Sequence, residues 1–455
     1  MANNGSNEEP RAGEALSNPL PGARLALTLL LAINLFNYID RQVLAAVLPS
    51  IKHEFFPESL QGESALAKGE GVETKLGLLT TAFMVSYMVI APLFGWLADR
   101  MSRWWLIGIG VLLWSLASAG SGLAPVFLAL LVTRCFVGVG EAAYGPAAPT
   151  IISDLYPVKV RGRVLAWFYL AIPVGSALGF VLGGLVLFAT KYWLGVEHWR
   201  WAFYAVLPPG VLLGLWCFFM REPARGQADA AVVHEKHRPK LRDFTVFLRT
   251  PSYVLDTLGM AAMTFALGGM GTWMPYYVAE TRHGGVLEHV NLIFGGIVVV
   301  TGLFATLLGG IAGDWLRARF AGSYFLVSGL SMLVGFPMVL LVICLPFPLA
   351  WIFVFVACFC LFFNTGPTNT ILANVTHPAI RSSAFALNIF IIHTLGDAIS
   401  PAVIGYVAEK SSMNMGFFVV SLMVLLSGIL WLCGSIYLRR DTELASTRLS
   451  LSSET

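Results

Sequence analysis

Charge is scarce in this 455-residue chain: Asp, Glu, Lys and Arg together make up 12% of it. A soluble domain carries about 25%. So few charges cannot cover a water-facing surface, and the ordinary soluble enzyme classes are excluded. Cysteine is sparse too. Cys135, Cys217, Cys344, Cys358, Cys360 and Cys433 all fall in apolar stretches, with no CxxC and no Cys/His cluster. They read as packing residues; no disulfide framework, metal or cofactor is expected. There is no phosphate-cradling Gly-rich loop ending in Lys-Ser/Thr, so ATP is not the energy source. No nucleophile–base constellation is visible, so the chain does not read as an enzyme. The first 20 residues are polar and lack a basic start followed by an apolar core, so no cleavable signal peptide is expected. The net charge of +3 is small, and no nucleic-acid partner is expected.

What the chain has instead is apolar length. Apolar residues make up 57% and the mean hydropathy is +0.73. Continuous apolar runs fall near 25–50, 76–98, 104–122, 125–150, 164–188, 200–220, 252–279, 290–312, 322–345, 349–373, 382–407 and 415–438. Each is long enough to cross a bilayer as a helix of about 20 residues. The pattern predicts an all-α integral membrane protein of twelve transmembrane helices, in two pseudo-symmetric six-helix bundles. The expected organisation is a tail at 1–23, a first bundle at 24–220, a linker at 221–250, a second bundle at 251–439 and a tail at 440–455. The linker carries the most charged stretch, HEKHRPKLRD, and reads as a solvated basic loop.

An even number of spans puts both termini on one side. Loops on that side hold 20 Lys and Arg; those on the other side hold seven: Lys52, Lys68, Lys75, Lys191, Arg200, Arg282 and Lys410. The excess predicts cytoplasmic termini, in a cell membrane such as the bacterial inner membrane.

The two halves echo each other. Gly95-Trp-Leu-Ala-Asp99-Arg100-Met-Ser-Arg103 follows the second run, and Gly310-Ile-Ala-Gly-Asp314-Trp-Leu-Arg317-Ala-Arg319 follows the eighth. In both, Gly precedes Asp by four and arginines follow. Thr150-Ile151 followed by Arg161 is matched by Thr370-Ile371 followed by Arg381. Duplicated halves mark transporters that rock about a central site.

The segment at 95–103 resembles the loop signature of the major facilitator superfamily, and Arg134 followed by Gly138-Val-Gly140 resembles its fourth-span motif. A narrower likeness lies in Asn34-Leu-Phe-Asn37-Tyr38-Ile-Asp40-Arg41, in Arg134 through Gly140-Glu141-Ala-Ala-Tyr144, and in His393-Thr-Leu-Gly396-Asp397. These resemble the spinster family. That resemblance implies export or salvage of lysolipids and sphingolipids, often linked to protons, through a cavity lined by spans 1 and 4.

Asp40 and Arg41 sit inside the first run and Arg134 and Glu141 inside the fourth. Charges in apolar spans are costly and face cavities with partners. Asn34, Asn37 and Arg41 share a helical face, flanked by Asp40. The expected quartet pairs Asp40 with Arg134 and puts Arg41 within reach of Glu141. Protonating an acid would free an arginine for an anionic headgroup; the alternative is a permanent structural ion pair. Asp40, Glu141, His393 and Asp397 are the candidate proton-coupling residues. Asn37, Arg41, Arg134, Tyr144, Asn364, Thr370 and His393 are the candidate substrate contacts. His393 and Asp397, four apart, suit a proton relay, a headgroup site or a helix–helix hydrogen bond. Asn364, Thr365, Thr368, Asn369 and Thr370 surround Gly366-Pro367, which can bend the tenth span.

Asp99, Arg100, Arg103, Asp314, Arg317 and Arg319 are the candidate gate, a latch between a helix end and its neighbour; simple topology anchoring is the alternative. Gly175, Gly179 and Gly183 form a close-packing run expected to shape the interface between halves. Asp154 and Asp256 are expected near the membrane surfaces. The whole predicts a monomeric secondary transporter, driven by protons and moving a single-chain lipid such as a lysophospholipid or a sphingoid phosphate. A small organic anion is the alternative substrate, and a membrane sensor without transport is a further one.

Overall fold

The computed structural model describes residues 19–57, 71–98, 100–194, 198–224, 241–377 and 380–445. Asp99 and the charged part of the linker lie outside the described residues, as do the side chains of Arg161 and Arg381.

The described residues are almost entirely helical. The first half holds α1 (Ala23–Phe55), α2 (Val72–Ala98), α3 (Arg103–Leu123), α4 (Phe127–Ala142), α5 (Tyr144–Leu155), α6 (Val158–Leu194) and α7 (Arg200–Cys217). After the short α8 (Leu241–Leu248) comes the second half: α9 (Pro251–Tyr276), α10 (Leu287–Arg317), α11 (Ser323–Cys344), α12 (Ala350–Phe363), α13 (Thr365–Val375), α14 (Arg381–Ile392), α15 (Ser400–Lys410) and α16 (Met413–Gly434). The terminal α17 (Leu438–Leu444) follows.

Among the described residues, eleven helices are long and apolar enough to cross a membrane. The twelfth apolar run also folds as a helix, α7, packed on α3 and α1. It is 18 residues long, starts at Arg200 and contains Pro208 and Pro209, and it stands outside that group.

The symmetry of the halves reaches the backbone. The fourth span breaks between α4 and α5, and the tenth between α12 and α13. A proline has no N–H for the carbonyl four residues back, and its ring clashes with that carbonyl. Pro146 strips Ala142, the last residue of α4; Pro367 strips Phe363, the last residue of α12. Both prolines follow a glycine, Gly145 and Gly366. The bend expected at Gly366-Pro367 therefore exists, and it has a twin.

The halves meet through reciprocal pairs. The second span of each packs on the fifth span of the other: α2 on α15, and α10 on α6. Glycines permit the approach. A Cβ on Gly77 would lie 2.3 Å from the Pro401 carbonyl oxygen, and one on Gly405 would lie 2.3 Å from that of Glu73.

The glycine run on α6 does something other than expected. Gly175 and Gly179 face the carbonyls of Leu35 and Ile39, and Gly183 faces Ala46, all on α1. The run therefore fastens α6 to α1 inside the first half. The opposite face of α6 reaches the second half, where Gly295 meets Ala177 and Gly302 meets Pro173.

Candidate functional site

A cavity open to solvent lies between the halves. Its wall comes from α1, α2, α4 and α6 on one side and from α9, α10, α12 and the turn at Asp397 on the other.

Arg41 is the charge that reaches the cavity from α1. Its Nε donates to Glu141 Oε2 at 2.7 Å, with side-chain exposures of 17% for Arg41 and 0% for Glu141. The arginine is the reachable member and the glutamate stands behind it. Tyr38, Phe83 and Tyr87 surround the guanidinium, with ring centres at 4.9, 5.0 and 5.4 Å. Cation–π contacts of this kind contribute about 0.5–2 kcal/mol each, more where water is excluded. They hold Arg41 in place even when its carboxylate partner changes. The second oxygen of Glu141, Oε1, is buried without a hydrogen-bond partner.

The expected pairing of Asp40 with Arg134 is not formed. Successive residues on a helix point about 100° apart. With Arg41 turned to the cavity, Asp40 faces α3, where the Ser118 hydroxyl donates to it. Asp40 borders a small separate space beside Trp114, Ser115 and Val206. Arg134 lines the cavity but sits between the rings of Phe83 and Phe203, at 5.9 and 5.8 Å. Its Nε and Nη1 have no hydrogen-bond partner. The quartet is thus one closed ion pair and two buried charges of opposite sign held apart.

Several predicted contacts turn away from the cavity in this conformation. Asn34 donates to the Phe168 carbonyl at 2.8 Å, and Asn37 is buried off the cavity wall. Tyr144 donates to the Leu30 carbonyl at 2.6 Å and packs between Trp114 and Phe168. Asn364 and Thr370 bond to backbone carbonyls of their own span, at Leu361 and Gly366, where Pro367 has disturbed the helix. Asn34 and Tyr144 serve helix contacts, and Asn364 and Thr370 serve the helix break.

The second half supplies a mostly apolar wall that includes Leu267, Met270, Phe294, Val298, Leu361 and Phe362. Cys358, read from sequence as packing, also lies on this wall. The one carboxylate there is Asp397, which accepts from His393 Nδ1 at 2.9 Å. The two residues bracket a π-helical turn in which Gly396 leaves helical geometry, at φ −106°, ψ −110°. Gly396 packs within 3.0 Å of the Ala261 carbonyl oxygen, measured from where a Cβ would stand.

The contacts described for the candidate gate residues Arg100, Arg103, Asp314, Arg317 and Arg319 lie within their own halves. Arg103 is buried and donates to Asp154 (2.5 Å), Glu222 (2.7 Å), Thr150 (3.2 Å) and the Pro223 carbonyl (3.2 Å). Asp154, expected near a membrane surface, is buried at 7% exposure and closes this cluster. Arg100 stacks on Trp96 and Arg319 on Trp315. The Tyr324 hydroxyl donates to Asp314 at 2.7 Å and accepts from Arg317 at 3.3 Å.

The polar contacts that join the halves all lie at the end opposite the termini, among the described residues. Lys52 bridges Glu73 (2.9 Å) and Tyr276 (2.6 Å), and His53 meets Glu280 at 3.1 Å. Thr74 donates to Glu409 at 2.6 Å, Asn291 donates to the Ala46 carbonyl at 2.8 Å, and Lys191 stands 3.5 Å from Glu288. The sequence hinted at Tyr38, three residues before Arg41 on the same face. Tyr87, Glu73, Glu280 and Glu409 gave no such signal, because their partners are distant in the chain.

Residues 30–401 match the family model described as Major Facilitator Superfamily. Human protein spinster homolog 1 is 35% identical over 418 residues, which cover 87% of this chain and 75% of that one. The mouse sphingosine-1-phosphate transporter SPNS2 is 33% identical over 454 residues, covering 92% and 78%. A crystal structure of a bacterial homologue of the human lysosomal transporter spinster, inward-facing, has a TM-score of 0.80 at 21% identity, covering 93% of this chain and 99% of that one. A duplicated helical bundle around a charged cavity, with these relatives, places the chain in the spinster family of the Major Facilitator Superfamily, and it is a membrane transporter.

Proposed function

We propose that the protein moves a single-chain anionic lipid, of lysophospholipid or sphingoid-phosphate type, in exchange for the free energy of a proton gradient. The observation that carries this reading is the position of Arg41: a caged cation at the wall of a cavity whose far side is apolar. An anionic headgroup competes with Glu141 for the guanidinium, and a chain packs against Leu267, Phe294 and Leu361. Glu141 and Asp40 are the acids whose protonation compensates the arginine's change of partner. Asp397 faces the same space from the second half, and with His393 bonded to it serves as a relay. Arg134 is a reserve cation, free of a fixed partner.

In the proposed orientation both termini are cytoplasmic. The contacts of Lys52, His53 and Thr74 then close the outer side, and substrate enters from the inner side. The Arg103 and Asp314 clusters act as stiffeners that keep each half rigid as the halves rock. The relative named as a sphingosine-1-phosphate transporter supports the lipid class.

The test is flux of a fluorescent lysophospholipid in liposomes, with and without an inward proton gradient. Gradient-dependent movement, lost in Arg41→Ala and Asp40→Asn, supports both the lipid and the coupling. Lipid movement indifferent to the gradient removes the coupling. No movement above empty liposomes removes the lipid, and the same assay with small organic anions comes next.

A further inference from the structure

Asp256 is fully buried, and neither of its carboxyl oxygens has a hydrogen-bond partner. It stands in the second turn of α9, five residues from the helix start at Pro251. Every element around it presents a neutral or acidic group. On α9 itself Ser252 and Tyr253 are one turn away, and the Ser252 hydroxyl is also unpartnered. From α16 the Trp431 indole covers this face of α9, donating to the backbone carbonyl of Asp256 at 3.3 Å, while Ser427 donates to the Gly259 carbonyl at 2.8 Å. Only a glycine at 259 admits the indole, since a Cβ there would stand 2.4 Å from its nitrogen. From α14, Asn388 donates to Thr257 Oγ1 at 3.0 Å, and the Ala384 carbonyl takes the Tyr253 hydroxyl at 2.7 Å. From α8, Phe247 packs on Tyr253. From α17 the acidic Asp441 accepts the Ser252 N–H at 2.8 Å. Among the described residues, no basic side chain faces Asp256.

A carboxylate needs donors or a cation; removed from water without either, it takes up a proton. We propose that Asp256 is a proton-binding site in the second half, filled in this conformation and emptied only when α9 parts from α16. It is separate from the charges around Arg41. Counted along the helices, Asp40 lies about 25 Å from the terminus-bearing end of α1, and Asp256 about 8 Å from that of α9. The first helix of each half thus buries one acid, at different depths. The same helix α9 lines the cavity at Leu267 and packs against Asp397 through Gly268, so a change at its start is transmitted to the cavity wall.

The test is infrared spectroscopy of the full-length protein in liposomes, at neutral pH, comparing wild type with Asp256→Asn. It needs no substrate and is independent of the lipid reading. Expected is loss of one protonated-carboxyl C=O band in the variant, with unchanged thermal stability, because an amide replaces a neutral acid of the same shape. Superimposable carboxyl regions overturn the proposal, as does a wild-type band that sodium abolishes, which would make the occupant a cation. Should the Asn variant fail to fold, Asp256→Glu decides: a displaced band supports the site, and an undisplaced one overturns it.

Discussion

The two halves share a backbone plan and divide the chemistry. Both break their fourth span at Gly-Pro, and both pack their second span on the other's fifth. Yet the cavity-facing charge of the first half is cationic, Arg41 and Arg134, while the second half offers apolar side chains and the single acid Asp397. A duplicated fold thus keeps its mechanics symmetric, because the rocking of one half against the other needs matched contact surfaces. The cavity-lining surfaces of the two halves are free to diverge, because they face the cavity rather than each other. An amphiphile suits such a site: its head belongs to one half and its tail to the other.

The sharpest way to break the comparison is Arg41→Ala. It removes the only cavity-exposed cation with a carboxylate partner, and flux should fall by at least about 100-fold, with folding intact by size-exclusion chromatography. Retained flux would move the head site to Arg134. Asp40→Asn is expected to abolish gradient-driven flux while leaving the protein folded; full gradient-driven flux would remove Asp40 from the mechanism.

On the apolar side, affinity in a competition series should tighten about fourfold per added methylene, following about 0.8 kcal/mol per buried CH₂. Phe294→Ala should flatten that series for long chains and leave short ones unaffected. An unchanged slope would place the tail elsewhere. At the closed end, Gly405→Leu forces side-chain volume into the backbone contact with Glu73 and should shift the protein towards a state open at that end. Spin-label distances between α2 and α15 report the shift, and a distance distribution like wild type would show the contact to be slack.

The smallest effect belongs to Tyr144→Phe, which removes one buried hydrogen bond to Leu30. A stability loss of about 1 kcal/mol is expected, with substrate preference unchanged. A changed preference would return Tyr144 to the list of substrate contacts.

Much of this was legible in the chain. Hydropathy found the spans, since lipid admits few alternatives to a closed helix. Charged residues inside apolar runs found Asp40, Arg41, Arg134 and Glu141, because such residues are costly without a use. The Arg41–Glu141 pair is expected from two acids and two bases on spans that line one cavity, and it is formed. The Asp40–Arg134 pair did not form, because the rotation of α1 turns Asp40 towards α3, where the Ser118 hydroxyl donates to it. Asp256 is expected near a membrane surface from its place by a span end, and only the tertiary structure shows that it is buried there.

The sequence by itself determined the helical class, the twofold echo and the residues too polar for lipid, because these follow from composition and period along one chain. Only the tertiary structure decided which of those residues share a space, which carbonyl each amide takes, and which end of the bundle is closed. Those choices depend on the rotation of each helix about its axis, and that rotation is fixed by packing between segments hundreds of residues apart.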